Sequence, residues 1–224
     1  VCVPDKTASL FGACPFKILG HIFDFSLKIA NSVHKSQHKG LTDRKVKPMQ
    51  SNIINTARLK LTPVSSDDLD IYTALLTSAE TTRYLPGGKP FSNSYIKNYL
   101  QEKIAHWSKG YGTFIVSLKD KPEVKIGYAG VESVAENDDG KILNDIRYAL
   151  LPEFYGKGYA EEAARAVIEF TFEHIELNVI YGVAVLENTP SVKLLNKLGM
   201  STTSEQLYDS DDLVTMKLTI NNNR

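Results

Sequence analysis

The sequence predicts a mixed α/β domain whose strands run mostly as meanders. Three observations carry that prediction. From Thr56 onward, strand-like and helix-like segments follow one another regularly. The runs "GTFIVSL", "VKIGYAGVESV" and "ILNDIRYALL" are joined by the hairpin-type turns "KDKP" and "ENDDG". The stretch "LPEFYGKGYAEEA" then sets Gly156 and Gly158 around Lys157, where a strand becomes a helix.

Element by element, "ARLKLTPV" alternates like a strand. Ser65 or Ser66 can cap a helix through "DDLDIYTALLTS", whose acids stand in the first turn, where the helix dipole favours them. "LPGGKP" is a loop. "SNSYIKNYLQEKIAHWSK" is helical, with Tyr95, Tyr99 or Leu100, and Ile104 at helical spacing. After the meander and the glycine turn, a helix to about Glu176 puts Ala160, Ala163, Ala164, Val167, Ile168 and Thr171 on one face. The strand "VIYGVAV", the short helix "TPSVKLLNKLG" and two last strands close the domain. No internal repeat is present.

Residues 1–48 read differently. They hold eight Lys/Arg against three Asp/Glu, whereas residues 49–224 hold 18 against 23. "LFGACPFKILGHIFDFSLKIA" is apolar but interrupted by Lys17, His21, Asp24 and Lys28, and lacks the basic start of a secretory signal. Phe16, Leu19, Ile22, Phe23, Leu27 and Ala30 can form a helical stripe, and a solvated basic linker follows. Residues 1–48 are therefore expected to be a poorly ordered extension or an accessory amphipathic helix, with the domain spanning 49–224. A chain started at Met49 is expected to fold and bind ligand unaided.

The mildly acidic domain has no electrostatic footprint for nucleic acid. No apolar run is long enough to span a membrane. The only cysteines, Cys2 and Cys14, give the domain neither a disulfide framework nor a zinc site, which points to the reducing cytoplasm. His106 and His174 read as surface or packing residues, and no His/Asp/Glu spacing suggests a metal.

The glycine turn is neither a Walker loop, since Gly158 rather than Ser or Thr follows Lys157, nor a dinucleotide fingerprint, since position 161 is Glu. What remains is G-x-G before a helix. The free N–H groups of that first turn can cradle an anion, glycine permits close approach, and Lys157 adds a cation. An ordinary strand-to-helix turn is the plainer alternative.

"RLKLTPVSSDDLDIYTALLTS", "TTRYLP", "DIRYALLPEFYGKGYAEEAARAVIEF" and "ENTPSVKLLNKLGM" stand in an order and spacing that resemble the GNAT acyltransferase superfamily. The likeness is nearest to RimJ/RimL-type protein N-acetyltransferases and covers about residues 56–220. It implies the GNAT fold, a mostly antiparallel sheet whose two central parallel strands splay apart between flanking helices. It also implies acetyl-CoA as donor, no metal, and a primary amine as acceptor, on a monomer or homodimer.

On this resemblance Phe154, Tyr155, Gly156, Lys157, Gly158, Tyr159 and Ala160 would wrap the CoA pyrophosphate. The pantetheine arm would pair with the strand at Tyr148, Ala149 and Leu150, and amides near Ala149 and Leu150 would polarise the thioester carbonyl. One departure is Glu153, where the superfamily loop usually starts with Gln or Arg. Another is Leu195, where many members place a tyrosine acid. Asn188 and Ser191 match a pair that would lie near the sulfur, with Ser191 a proton donor or simply a first-turn helix residue. Glu132, Asp145 and Glu205 compete as base, alongside water. Arg83, Tyr84 and Phe91 would wall the acceptor side. The acceptor is expected to be a protein N-terminus or another protein amine, with a polyamine-like amine as rival. A non-catalytic acyl-CoA-binding module is the reading from another class.

Overall fold

A computed structural model describes residues 52–136, 140, 142–208 and 210–220. The extension expected at 1–48 and the start at Met49 lie outside the described residues. The strands are β1 Ile54–Asn55, β2 Leu59–Pro63, β3 Thr113–Leu118, β4 Lys125–Glu136, β5 Ile142–Leu150, β6 Val179–Val185, β7 Ser201–Thr202 and β8 Leu213–Thr219. The helices are α1 Leu69–Leu76, α2 Ala79–Thr82, α3 Asn93–His106, α4 Tyr159–His174 and α5 Thr189–Lys197.

The strands form one sheet in the order β1-β2-β3-β4-β5-β6-β8-β7. Every neighbouring pair is antiparallel except β5 and β6, which are parallel. The parallel pair follows from the connection, because the chain between them passes through α4 rather than a hairpin.

Local chemistry sets the helix ends. Ser65 makes a capping box: its hydroxyl accepts from the Asp67 amide, while the Asp68 carboxylate accepts from the Ser65 amide at 2.7 Å. A 3-10 turn, Ser66–Asp68, then leads into α1. Ser92 caps α3 and Asn188 caps α5.

Strand alternation divides the sheet into two faces. On one, Ala129, Val131, Ile146, Leu150 and Ile180 pack against α4 (Ala163, Ala164, Val167, Ile168) and α5 (Leu195, Leu198). On the other, Val64, Ile115 and Tyr128 pack against α1 (Ile71, Tyr72, Leu75, Leu76) and α3 (Ile96, Leu100). Further along that second face, Leu143, Tyr181 and Leu207 form a smaller cluster.

Of the expected stripe on α3, Leu100 is buried, Tyr99 and Ile104 pack against the core, and Tyr95 lies at the margin; Ile96 and Lys103 complete the buried line. Tyr95 and Tyr99 stack in a row begun by Phe91, an arrangement aromatic rings favour. β1 and α2 went unforeseen because two- and four-residue elements have no periodicity to read.

Candidate active site

β5 and β6 meet at one register pair, Asp145 opposite Tyr181, and hold no ladder beyond it. Past that point the strands part, and the β6-facing edge of β5 has no strand partner. The phase of the opposite edge is fixed by Leu151, whose amide donates to Ile126 O at 2.8 Å. Alternation therefore turns the Ala149 amide toward Tyr128 of β4 and leaves those of Tyr148 and Leu150 facing the gap. Of the two amides expected to polarise a carbonyl, the one at Ala149 is committed to the sheet, and Leu150 has Tyr148 as its companion.

The gap widens toward the glycine loop. Pro152–Phe154 makes a single 3-10 turn, and Gly156 (φ 72°) and Gly158 (φ 78°) both take left-handed conformations. A Cβ at Gly156 would meet no heavy atom within 4 Å, so conformation rather than crowding within the chain calls for glycine there. Gly158 opens α4 without a side-chain cap. The first-turn acids are already paired, Glu161 with Arg165 and Glu162 with Arg58. Arg58 holds the loop in place: it donates to Lys157 O at 2.9 Å, pairs with Glu162 at 2.7 Å and lies over the Tyr159 ring. Lys157 rests over Phe154, and Tyr155 is half exposed. The extended edge, the two left-handed glycines and the uncapped amides fit a nucleotide-bearing thioester such as acetyl-CoA.

All three candidate bases lie around one transverse row on the α1/α3 face. Glu132 pairs in register with Asp145, Asp145 with Tyr181, and Tyr181 with Lys217. Glu132 is buried and spoken for, accepting from Lys103 Nζ and from Thr113 Oγ1 at 2.6 Å. Burial alone would raise its pKa, but the Lys103 and Arg147 charges and these hydrogen bonds hold it down to about 2. Glu205 accepts from the Tyr181 hydroxyl at 2.6 Å and pairs with Lys217 at 3.1 Å at the exposed end of the row.

Asp145 differs from both. It is 4% exposed, and among the described residues its buried Oδ1 has no hydrogen-bond partner. Its Oδ2 lies 3.5 Å from Arg147 Nε and 3.4 Å from the Tyr208 hydroxyl. Burial pushes its pKa up to about 6, with Arg147 and Tyr208 restraining the rise. It stands where the two strands part.

The α4/α5 face carries hydroxyls instead. Tyr148 Oη lies 2.8 Å from Ser191 Oγ, and burial pushes the phenol up to about 12. Helix capping at Ser191 falls to Asn188, whose Oδ1 accepts from the Ser191 amide at 3.3 Å. The serine hydroxyl is thus not the cap, and the Oδ1 of Asn188, expected near the sulfur, is engaged within the chain. Leu195 is fully buried and packs beside Gly182, where a Cβ would come within 2.5 Å of it.

Of the expected acceptor wall, Phe91 stacks on Tyr95 at 4.6 Å and joins the ring row, while Arg83 is exposed and lies over Tyr84. His106 bonds Tyr111 O and Ser133, and His174 bonds Phe170 O, both as packing residues. Lys103, Arg147 and Tyr208 were missed. Lys103 sits three residues after Leu100 on a buried stripe, and Arg147 two after Asp145 on one strand face, so both had a signal in their spacing. Tyr208 lies in an irregular loop and had none. Among the described residues no group of three His, Cys, Asp or Glu could hold a metal, and no helix is long and apolar enough to cross a membrane.

The family described as "Acetyltransferase (GNAT) domain" matches residues 58–201. An uncharacterized N-acetyltransferase, p20 of Bacillus licheniformis, is 32% identical over 64% of this chain and 79% of its own length. The spermidine N(1)-acetyltransferase of Escherichia coli K12 is 24% identical over 67% and 77%. The structure of RimL, a ribosomal alpha-N-protein acetyltransferase in complex with coenzyme A, shares the fold with a TM-score of 0.61 at 16% identity, over 75% of this chain and 98% of that one. The chain belongs to the GNAT acetyltransferase family. It is an acetyl-CoA-dependent N-acetyltransferase with the mixed, mostly antiparallel sheet expected of that fold.

Proposed function

We propose that the protein acetylates the α-amine of a polypeptide by direct attack on acetyl-CoA, with Asp145 as proton acceptor. The observation that carries this is Asp145 itself: a buried carboxylate with one unpartnered oxygen, at the point where β5 and β6 separate. The loop Phe154–Ala160 would hold the pyrophosphate, and the edge of β5 at Tyr148 and Leu150 the pantetheine arm. The acceptor's nitrogen forms a bond to the acetyl carbon as the carbon–sulfur bond breaks, and its surplus proton passes to Asp145. The departing thiolate takes a proton delivered through the Ser191–Tyr148 hydroxyl pair across the sheet, which regains it from solvent. A pKa about 6 leaves Asp145 ionised at neutral pH yet basic enough to serve. Glu132, held by Lys103, is structural.

A polypeptide acceptor is supported by likeness to the RimL-type enzymes. A second reading, a polyamine acceptor, is favoured by the identity to the spermidine enzyme. A domain without cysteine suits the reducing cytoplasm. The test is a screen of peptides and amines with acetyl-CoA, following free thiol and product mass. Thiol release with peptides beginning in a free α-amine is expected. Release with polyamines alone would install the second reading.

A further inference from the structure

Arg147 stands two residues beyond Asp145 on the same face of β5 and shares its carboxylate, with Nε 3.5 Å from Oδ2. Its Nη2 donates to Tyr208 at 2.8 Å, and among the described residues Nη1 has no partner. The side chain is 23% exposed, so the guanidinium is neither sealed in the core nor free in water. Its charge is felt by Tyr95 and Glu102 on α3 and by Tyr128 on β4, on the α1/α3 face of the sheet. One carboxylate thus offers an unpartnered oxygen on one side and a guanidinium with a spare donor on the other.

We propose that Arg147 is a specificity-determining residue, its Nη1 donating to an oxygen beside the reacting amine, so that the site selects α-amino acyl groups. This rests on the reading of Asp145 as proton acceptor. In an α-amino carbonyl the nitrogen and oxygen lie about 3 Å apart, a separation one carboxylate and the guanidinium bound to it can span together. Arginine suits the task because its planar fork keeps a donor after pairing with a carboxylate, which an ammonium does less well. A polyamine offers no oxygen to Nη1, and Glu132 on the same face is already neutralised by Lys103. Peptide N-termini, amino-acid amides and free amino acids share the recognised chemistry.

The test compares alaninamide with sec-butylamine, which has nearly the same shape but no oxygen. Rates are expressed per neutral amine, because the two amines differ in pKa. The full chain is expected to prefer alaninamide by about 100-fold in kcat/KM, less than a fully buried donor exerts because Arg147 is partly exposed and water can replace the missing oxygen. In Arg147→Met that ratio should collapse toward unity while the acetyl-CoA Kd holds. Arg147→Lys keeps a cation beside Asp145 and guards against misfolding; its ratio should fall by about 10-fold or more. A short peptide and free alanine, run alongside, separate the two sources of such an acceptor. Equal use of sec-butylamine and alaninamide by the wild-type chain would overturn the assignment, as would an unchanged ratio in both variants. Asp145→Asn serves as the separate control: full activity there would sink the proton-acceptor reading, whatever Arg147 does.

Discussion

Glu132 and Asp145 face each other across two strands, yet their surroundings drive them in opposite directions. Both are buried. Glu132 has a lysine and a hydroxyl bound to its two oxygens and is held to about 2. Asp145 shares one oxygen with an arginine and a tyrosine at longer range, keeps the other bare, and rises to about 6. Burial penalises both charges, so the partners decide the outcome. A buried carboxylate with complete partners stays ionised, whereas one with an unfilled oxygen holds a proton more readily.

The sharpest way to break this contrast is Asp145→Asn. Turnover should fall by about 100- to 10,000-fold with acetyl-CoA affinity kept, as for loss of a general base. In the wild type, kcat/KM should decline as pH drops through about 6, and the variant's residual rate should lack that limb. Isothermal titration and stopped-time thiol assays would read both.

Lys103→Met attacks the other carboxylate. It strands Glu132 without its cation and should cost about 3–5 kcal/mol of unfolding free energy in denaturant titration. Adding Glu132→Gln should restore part of that loss. If the single variant is as stable as the wild type, the ion pair is not what holds Glu132 down.

The two groups should also bend the stability curve in opposite senses. The folded chain holds a proton on Asp145 up to about pH 6, whereas the unfolded one releases it near 3.8. Stability from this site therefore falls as pH rises between those values, by about 3 kcal/mol at most. Glu132 titrates near 4.5 unfolded and about 2 folded, so its contribution is present above 4.5 and lost as pH falls toward 2. Thermal melts from pH 4.5 to 6.5 should show the wild type losing stability relative to Asp145→Asn. A parallel course would mean Asp145 is not raised.

The smallest effect belongs to the opposite face. Ser191→Ala should lower turnover by about 10- to 100-fold, since a CoA thiolate leaves fairly well unaided. Its melting point should barely move, because Asn188 caps the helix. A lower melt with unchanged turnover would return Ser191 to a packing role.

Much of this architecture was legible in the chain. The turn at "KDKP", the G-x-G before a helix and the strand "VIYGVAV" match observed elements, because each is governed by local chemistry or simple periodicity, while most of the "ENDDG" turn lies outside the described residues. The three carboxylates could be named from the sequence but not ranked. Their difference depends on Lys103, 29 residues from Glu132, and on Tyr208, 63 from Asp145. Spacing could mark Lys103 as a buried-stripe position, but not that it would pair with Glu132 or that Tyr208 would reach Asp145. The same holds for Tyr148 and Ser191, 43 residues apart.

The lone pair joining β5 to β6 has a consequence for how the molecule comes apart. Among the described residues the strand pairing between β1–β5 and β6, β8 and β7 comes down to Asp145 and Tyr181. What otherwise unites them is side-chain contact: the Arg147 and Asp145 bonds to Tyr208, the Tyr148–Ser191 hydroxyl pair, Ile146 beside Gly182 and the shared contacts of α5. The C-terminal strands can therefore act as a separate cooperative unit, opening without melting the meander. Amide hydrogen exchange would show two protection levels, divided at that pair.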